Sequence, residues 1–167
     1  YLAPSDRFPA RIEIWDMDGD LLREIADLPL AEEIPIDRDA RRVGPRQIGW
    51  RADAPATLYW VEAQDGGHPQ IDAEVRDSVY TLSAPFKGDP TLLGSCKQRF
   101  RSIIWGNDKV ALIREGWWKT RRERTWAINP ESPDTEKLLI FDLSSEDRYS
   151  HPGEPLLRPM PTGTSVL

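Results

Sequence analysis

Gln47-Ile-Gly-Trp50 followed by Thr57-Leu-Tyr-Trp-Val-Glu62 returns in altered form as Ser102-Ile-Ile-Trp105 followed by Val110-Ala-Leu-Ile-Arg-Glu115. The leading tryptophans, Trp50 and Trp105, stand 55 residues apart. That spacing suits antiparallel blades stacked in a repeat array. Each copy also reads as two short strands joined by a turn: Asp53-Ala-Pro55 in the first, Gly106-Asn-Asp108 in the second. The repeat therefore predicts an all-β chain built as part of a β-propeller.

Working outward, the first unit offers strands near 46–51, 57–63, 76–82 and 91–96, with Asp65-Gly-Gly-His-Pro69 opening a longer loop. The second offers strands near 100–105, 109–116, 121–128 and 137–142, with Asn129-Pro-Glu-Ser-Pro133 as its last loop. Each is expected to be a four-stranded meander with an apolar first strand and a more polar outer pair. Upstream, Arg11-Ile-Glu-Ile-Trp15 alternates at period two, Asp16-Met-Asp-Gly-Asp20 supplies turn residues and Leu21-Leu-Arg-Glu-Ile25 returns, which is a hairpin. Residues 28–45, with Pro29, Pro35 and Pro45 and no sustained period, read as a long connection.

The expected organisation is one propeller domain: 1–27 the end of a blade, 46–97 and 99–143 complete blades, and 144–167 the entry to the next. Trp50 and Trp105, at equivalent positions, are expected to fill the wedge between neighbouring sheets. Both termini read as cuts through a fold, because Tyr1 opens the chain and Gly163-Thr-Ser-Val-Leu167 ends where a strand would begin.

Composition narrows the chemistry. A formal charge of −6 argues against nucleic acid as a partner, since phosphate affinity rests on clustered Lys and Arg. No apolar run approaches the roughly 18 residues of a membrane span, so no membrane partner is expected. Cys96 has no second cysteine, and His68 and His151 lie far apart, so no disulfide and no metal site are expected. Asp16-Met-Asp-Gly-Asp20 has its glycine before the third acid and no flanking helices, so it reads as a hairpin turn rather than a calcium loop. The histidines read as loop surface residues, and Cys96 as a small buried apolar group. No cofactor is implied.

Pro45-Arg-Gln-Ile-Gly-Trp-Arg-Ala-Asp-Ala-Pro-Ala-Thr-Leu-Tyr-Trp-Val-Glu-Ala-Gln-Asp-Gly-Gly67, Trp117-Trp-Lys-Thr-Arg-Arg-Glu-Arg-Thr-Trp126 and Ser144-Ser-Glu-Asp-Arg-Tyr-Ser-His-Pro-Gly153 carry a further reading. Together they closely resemble the propeller of glutamyl endopeptidase-like members of the prolyl oligopeptidase family of serine peptidases. The resemblance runs from Arg7-Phe-Pro-Ala-Arg-Ile-Glu-Ile-Trp15 to the C-terminus. It implies a seven-bladed propeller capping an α/β-hydrolase domain with a Ser, Asp, His triad, of which this chain would be part of the cap. The implied partners are that hydrolase domain, on the same polypeptide, and peptide substrates whose access the cap controls. An exported or periplasmic location is the implied one, although relatives also occur in plastids.

The residues themselves contain no Gly-x-Ser-x-Gly, the turn that exposes a nucleophilic serine, so no catalytic residue is assigned and the chain alone is expected to be inactive. A site that prefers glutamate needs a cation for its carboxylate, which makes Arg121, Arg122 and Arg124 candidate substrate-binding residues. On a strand, Arg122, Arg124 and Trp126 would share one face. The competing reading is a solvated hairpin whose arginines pair with nearby carboxylates. Likewise Glu146 or Asp147 could clamp Arg148 between blades. The alternative function is a WD-repeat-like scaffold that holds a protein partner, but the Gly-His and Trp-Asp signatures do not recur: Gly67-His68 and Trp15-Asp16 each occur once. If blade faces are left uncovered, the chain is expected to self-associate.

Overall fold

The computed structural model describes residues 5–167, so the reading of the chain's first four residues lies outside it. The described chain is all-β, with 3-10 turns at Ser5–Arg7 and Trp118–Thr120. Strands β1 (Ala10–Trp15) and β2 (Leu21–Leu28) form the predicted hairpin. A four-stranded antiparallel meander follows, made of β3 (Arg46–Trp50), β4 (Thr57–Ala63), β5 (Asp77–Ser83) and β6 (Thr91–Cys96). A second contains β7 (Arg99–Asn107), β8 (Val110–Trp117), β9 (Arg122–Ile128) and β10 (Leu138–Ser144). These are propeller-like blades, and no sheet closes on itself. The eight strand bounds lie within two residues of the sequence reading.

Strand alternation explains the packing. On β4, Leu58 and Trp60 point toward the hairpin and join Ile14, Leu82 and Phe86, whereas Val61 points the other way and joins Val79, Leu93, Phe100, Trp105 and Ile113. Because both faces of β4 are covered, its Leu-Tyr-Trp-Val run is apolar without a break. The Asp16 carboxylate accepts the N–H groups of Asp18 and Asp20, both at 2.9 Å, and Gly19 takes φ 89°, so the acidic stretch closes the β1–β2 turn.

Two expectations about burial need correction. The first strand of the first blade is not its apolar centre: β3 has no fully buried residue, while β4 and β5 are mostly buried. An edge strand has a neighbour on one side only, and the middle pair has sheet on both. The tryptophans also part ways. Trp105 is 4% exposed and meets Tyr59 edge-on at 5.3 Å, but Trp50 is 53% exposed and touches Phe86 at 5.9 Å. A full four-stranded sheet faces Trp105, whereas the two-stranded β1–β2 hairpin is what faces the first blade on the Trp50 side.

Past β10 the chain makes two short strands, β11 (Arg158–Pro159) and β12 (Ser165–Val166), which pair with each other. Prolines at 152, 155, 159 and 161 remove donors that a longer ladder would need. Val166 is buried, and the Leu167 N–H donates to the Trp105 carbonyl at 2.9 Å.

Candidate functional site

The antiparallel registers bring Asp77, Cys96, Arg99 and Gly116 to one end of the two blades, since Asp77 lies opposite Cys96 and Arg99 opposite Gly116. The loop after β4 and the 28–45 connection close over that end. Gly67 makes this closure possible: it takes φ 75°, its carbonyl accepts the Arg41 N–H at 2.9 Å, and a Cβ there would lie 1.8 Å from the Arg41 carbonyl oxygen. Only glycine fits.

At the centre sits Arg99, 0% exposed. Its Nη2 donates to Asp65 at 2.7 Å, its Nη1 to Asp77 at 3.0 Å and to the Arg76 carbonyl at 3.1 Å, and its Nε to the Asp39 carbonyl at 2.7 Å. Asp65 also accepts Arg76 at 2.8 Å and the Gly67 N–H at 3.0 Å. Asp77 accepts the Phe100 N–H at 2.7 Å and is ion-paired with Arg46 at 2.5 Å. Asp39 holds Arg101 at 3.0 Å and the Trp118 N–H at 2.8 Å. One buried guanidinium thus ties the connection, the first blade and the second blade together. Buried charges of this kind are tolerated when paired and fully hydrogen-bonded.

Trp117 and Trp118 cover the network. Arg76 stacks on Trp117 at 4.1 Å, and Trp118 is sandwiched between Arg38 at 3.9 Å and Arg121 at 3.4 Å. Open clefts of about 640 and 700 Å³ flank this Trp118 sandwich; Arg38, Arg101, Arg121 and Arg122 line the smaller one. Such a surface can hold an extended, partly acidic chain through stacking and guanidinium hydrogen bonds.

Of the three candidate arginines, Arg121 and Arg122 line the smaller cleft, whereas Arg124 lines a separate groove on the other side of the second blade. Arg121 precedes β9 in a left-handed turn at φ 56°, stacks on Trp118 and pairs with Glu146 at 3.2 Å. Arg122 and Arg124 share a face of β9, as alternation requires, and both bind Asp142 of β10, Arg124 at 3.1 Å. The hydrogen bond from Arg122 holds the Asp142 carboxyl below the usual carboxylate range. Arg124 also lies 3.9 Å from the buried Glu115, which accepts Trp126 Nε1 at 2.9 Å. The expected clamp on Arg148 is replaced: Glu146 takes Arg121, and Asp147 accepts the N–H groups of Tyr149 and Ser150, which cap its own turn.

His68 is half-buried and His151 exposed; each accepts a nearby backbone N–H through Nδ1. Cys96 is buried, and desolvation pushes its thiol far above the usual range, which makes it unreactive. The side of the second blade away from the first carries a groove of about 390 Å³ between Leu112, Arg114, Phe141 and the 151–155 loop. There Arg114 binds Glu154 at 2.6 Å.

Sequence reasoning passed over Arg99 and its aspartates, which are scattered over 60 residues. One signal was available: Arg46 and Arg101 each stand four residues before the leading tryptophan of their repeat.

No family model matches the chain, and no solved structure matches it. Among curated proteins, it is 46% identical over 169 residues to "Probable glutamyl endopeptidase, chloroplastic" of Oryza sativa subsp. japonica, with the whole chain covered. The chain is similar throughout to a plant protein named as a glutamyl endopeptidase. A protein of the same name from Arabidopsis thaliana is 47% identical, again over the whole chain. The chain spans 18% of the length of these relatives. The shared name is that of a peptidase and does not favour the scaffold alternative.

Proposed function

We propose that this chain is a non-catalytic propeller segment of a serine peptidase of the prolyl oligopeptidase family, gating and positioning peptides for a separate α/β-hydrolase domain. The observation that carries this reading is the 46–47% identity, over the whole chain, to proteins named glutamyl endopeptidase. The blades fit a cap, because stacked sheets leave clefts at their ends that admit an extended chain and exclude a folded one. Peptide substrates and the hydrolase domain are the proposed partners.

Within this reading, Arg121, Arg122 and Arg124 are proposed to receive acidic side chains of the substrate. Arg121 is the best placed, since it lines the 640 Å³ cleft and its partner Glu146 lies at the exposed surface. Arg122 and Arg124 would first have to release Asp142.

The test is made on the intact polypeptide that contains this chain. It is expected to carry a downstream Gly-x-Ser-x-Gly, to cleave glutamate-containing peptides but not folded proteins, and to lose activity to a serine-directed reagent. In it, Arg121→Gln is expected to raise KM for glutamate substrates about tenfold with little change in kcat, the pattern of a lost binding contact. A polypeptide without a hydrolase domain would overturn the peptidase reading, and an unchanged KM would remove Arg121 from the site.

A further inference from the structure

Arg7, Arg41, Arg42 and Arg46 line a pocket of about 480 Å³ where the 28–45 connection meets β3, with Asp6 and Asp37 as its acidic residues. The charge beneath it does not balance. Arg46, Arg76, Arg99 and Arg101 are ion-paired to just three carboxylates, those of Asp39, Asp65 and Asp77. Arg41 adds a fifth guanidinium in the field of Arg46, Arg101 and Arg99, which Asp39 opposes. Two positive charges are thus in excess, within a chain whose net charge is −6.

The hydrogen bonding is incomplete in the same place. The Arg46 side chain is 10% exposed; its Nη2 is paired with Asp77 at 2.5 Å, and its Nε and Nη1 have no partner. Arg41 donates Nη1 to the carbonyls of Arg38 at 2.9 Å and Ala40 at 2.6 Å, so no carboxylate neutralises it directly. Burial, followed for Arg41 by the neighbouring arginines, pushes both guanidinium groups below their ordinary range. Buried cations and orphaned donors are destabilising unless an anion answers them.

We propose that this pocket, lined by Arg7, Arg41, Arg42 and Arg46, is a binding site for a carboxylate group. The planar guanidinium fork matches a carboxylate through paired hydrogen bonds. Asp6 and Asp37 on the wall disfavour the more highly charged phosphate. The carboxylate can come from an acidic side chain of a peptide or from a small free acid. The site follows from charge and burial and stands whether or not the peptidase reading holds.

The test is calorimetric titration of the full chain with butyrate, with a capped alanine peptide carrying one glutamate, with its glutamine counterpart, and with inorganic phosphate. Wild type is compared with Arg41→Gln and Arg41→Lys, each shown by circular dichroism to keep its strands. Binding of butyrate, of the glutamate peptide or of both is expected, weakened about tenfold or more in Arg41→Gln and less in Arg41→Lys. Binding by the peptide alone assigns a peptide-borne carboxylate, and by butyrate alone a free acid. No binding of either, equal binding of the glutamine peptide, tighter binding of phosphate, or affinity unchanged in Arg41→Gln would overturn the site.

Discussion

At the scale of single residues, Arg99 matters most to the described fold, because four of its hydrogen bonds reach three separate segments. Arg99→Met would leave Asp77 with Arg46 and Asp65 with Arg76, but would strip both of their fully buried partner. Urea denaturation is expected to show a loss of about 3–5 kcal/mol, the range for breaking a buried pair from one side. Gly67→Ala places a methyl into the Arg41 carbonyl, and is expected to destabilise by roughly 2 kcal/mol or more as the connection is forced off the loop. A variant as stable as wild type would show that the connection is not held there.

At the scale of elements, the two blades meet through Trp105 and its cover of Tyr59, so Trp105→Ala is expected to cost about 3–5 kcal/mol. Trp50→Ala, at the equivalent but half-open position, is expected to lose well under half of that in the same melt. The β9–β10 pair and the groove behind it respond to acid. Asp142 is held below the ordinary range by Arg122, Glu154 by Arg114, and Asp147 by the Ser150 N–H. A lowered folded value contributes stability above the unfolded carboxylate range of about 4, and that contribution is lost as pH falls through the folded values. Thermal melts are therefore expected to be flat from pH 7 to about 5 and to fall below about 4, less steeply in Asp142→Asn. Glu154 is exposed and Asp142 and Asp147 are only partly covered, so the effect is small and salt-sensitive.

At the scale of the whole molecule, the open edge is the dominant feature. Strand β10 ends its sheet, and Leu138, Leu139, Ile140 and Phe141 are all exposed along it. An unpaired apolar edge is a template for another strand. The 167-residue chain is expected to self-associate in sedimentation velocity, and Ile140→Lys to reduce the association; a monomer at all concentrations would exclude this use of the edge.

The strands were legible because period-two alternation and Asp-Gly or Pro turns act over a few residues, and the repeat told where each blade begins. Trp105 could be placed in the core from its position in the repeat. The fate of Trp50 could not, since its burial depends on how many strands the neighbouring sheet supplies. Nor could the Arg99 network, because Asp39, Asp65 and Asp77 carry no local sign that one guanidinium will reach all three. The sequence alone determined the meanders and their order, since hydrogen-bonded turns and alternation are near-neighbour effects. Which charges are buried together, and where positive charge is left in excess, only the tertiary structure decided, because electrostatic pairing depends on distance in space rather than along the chain.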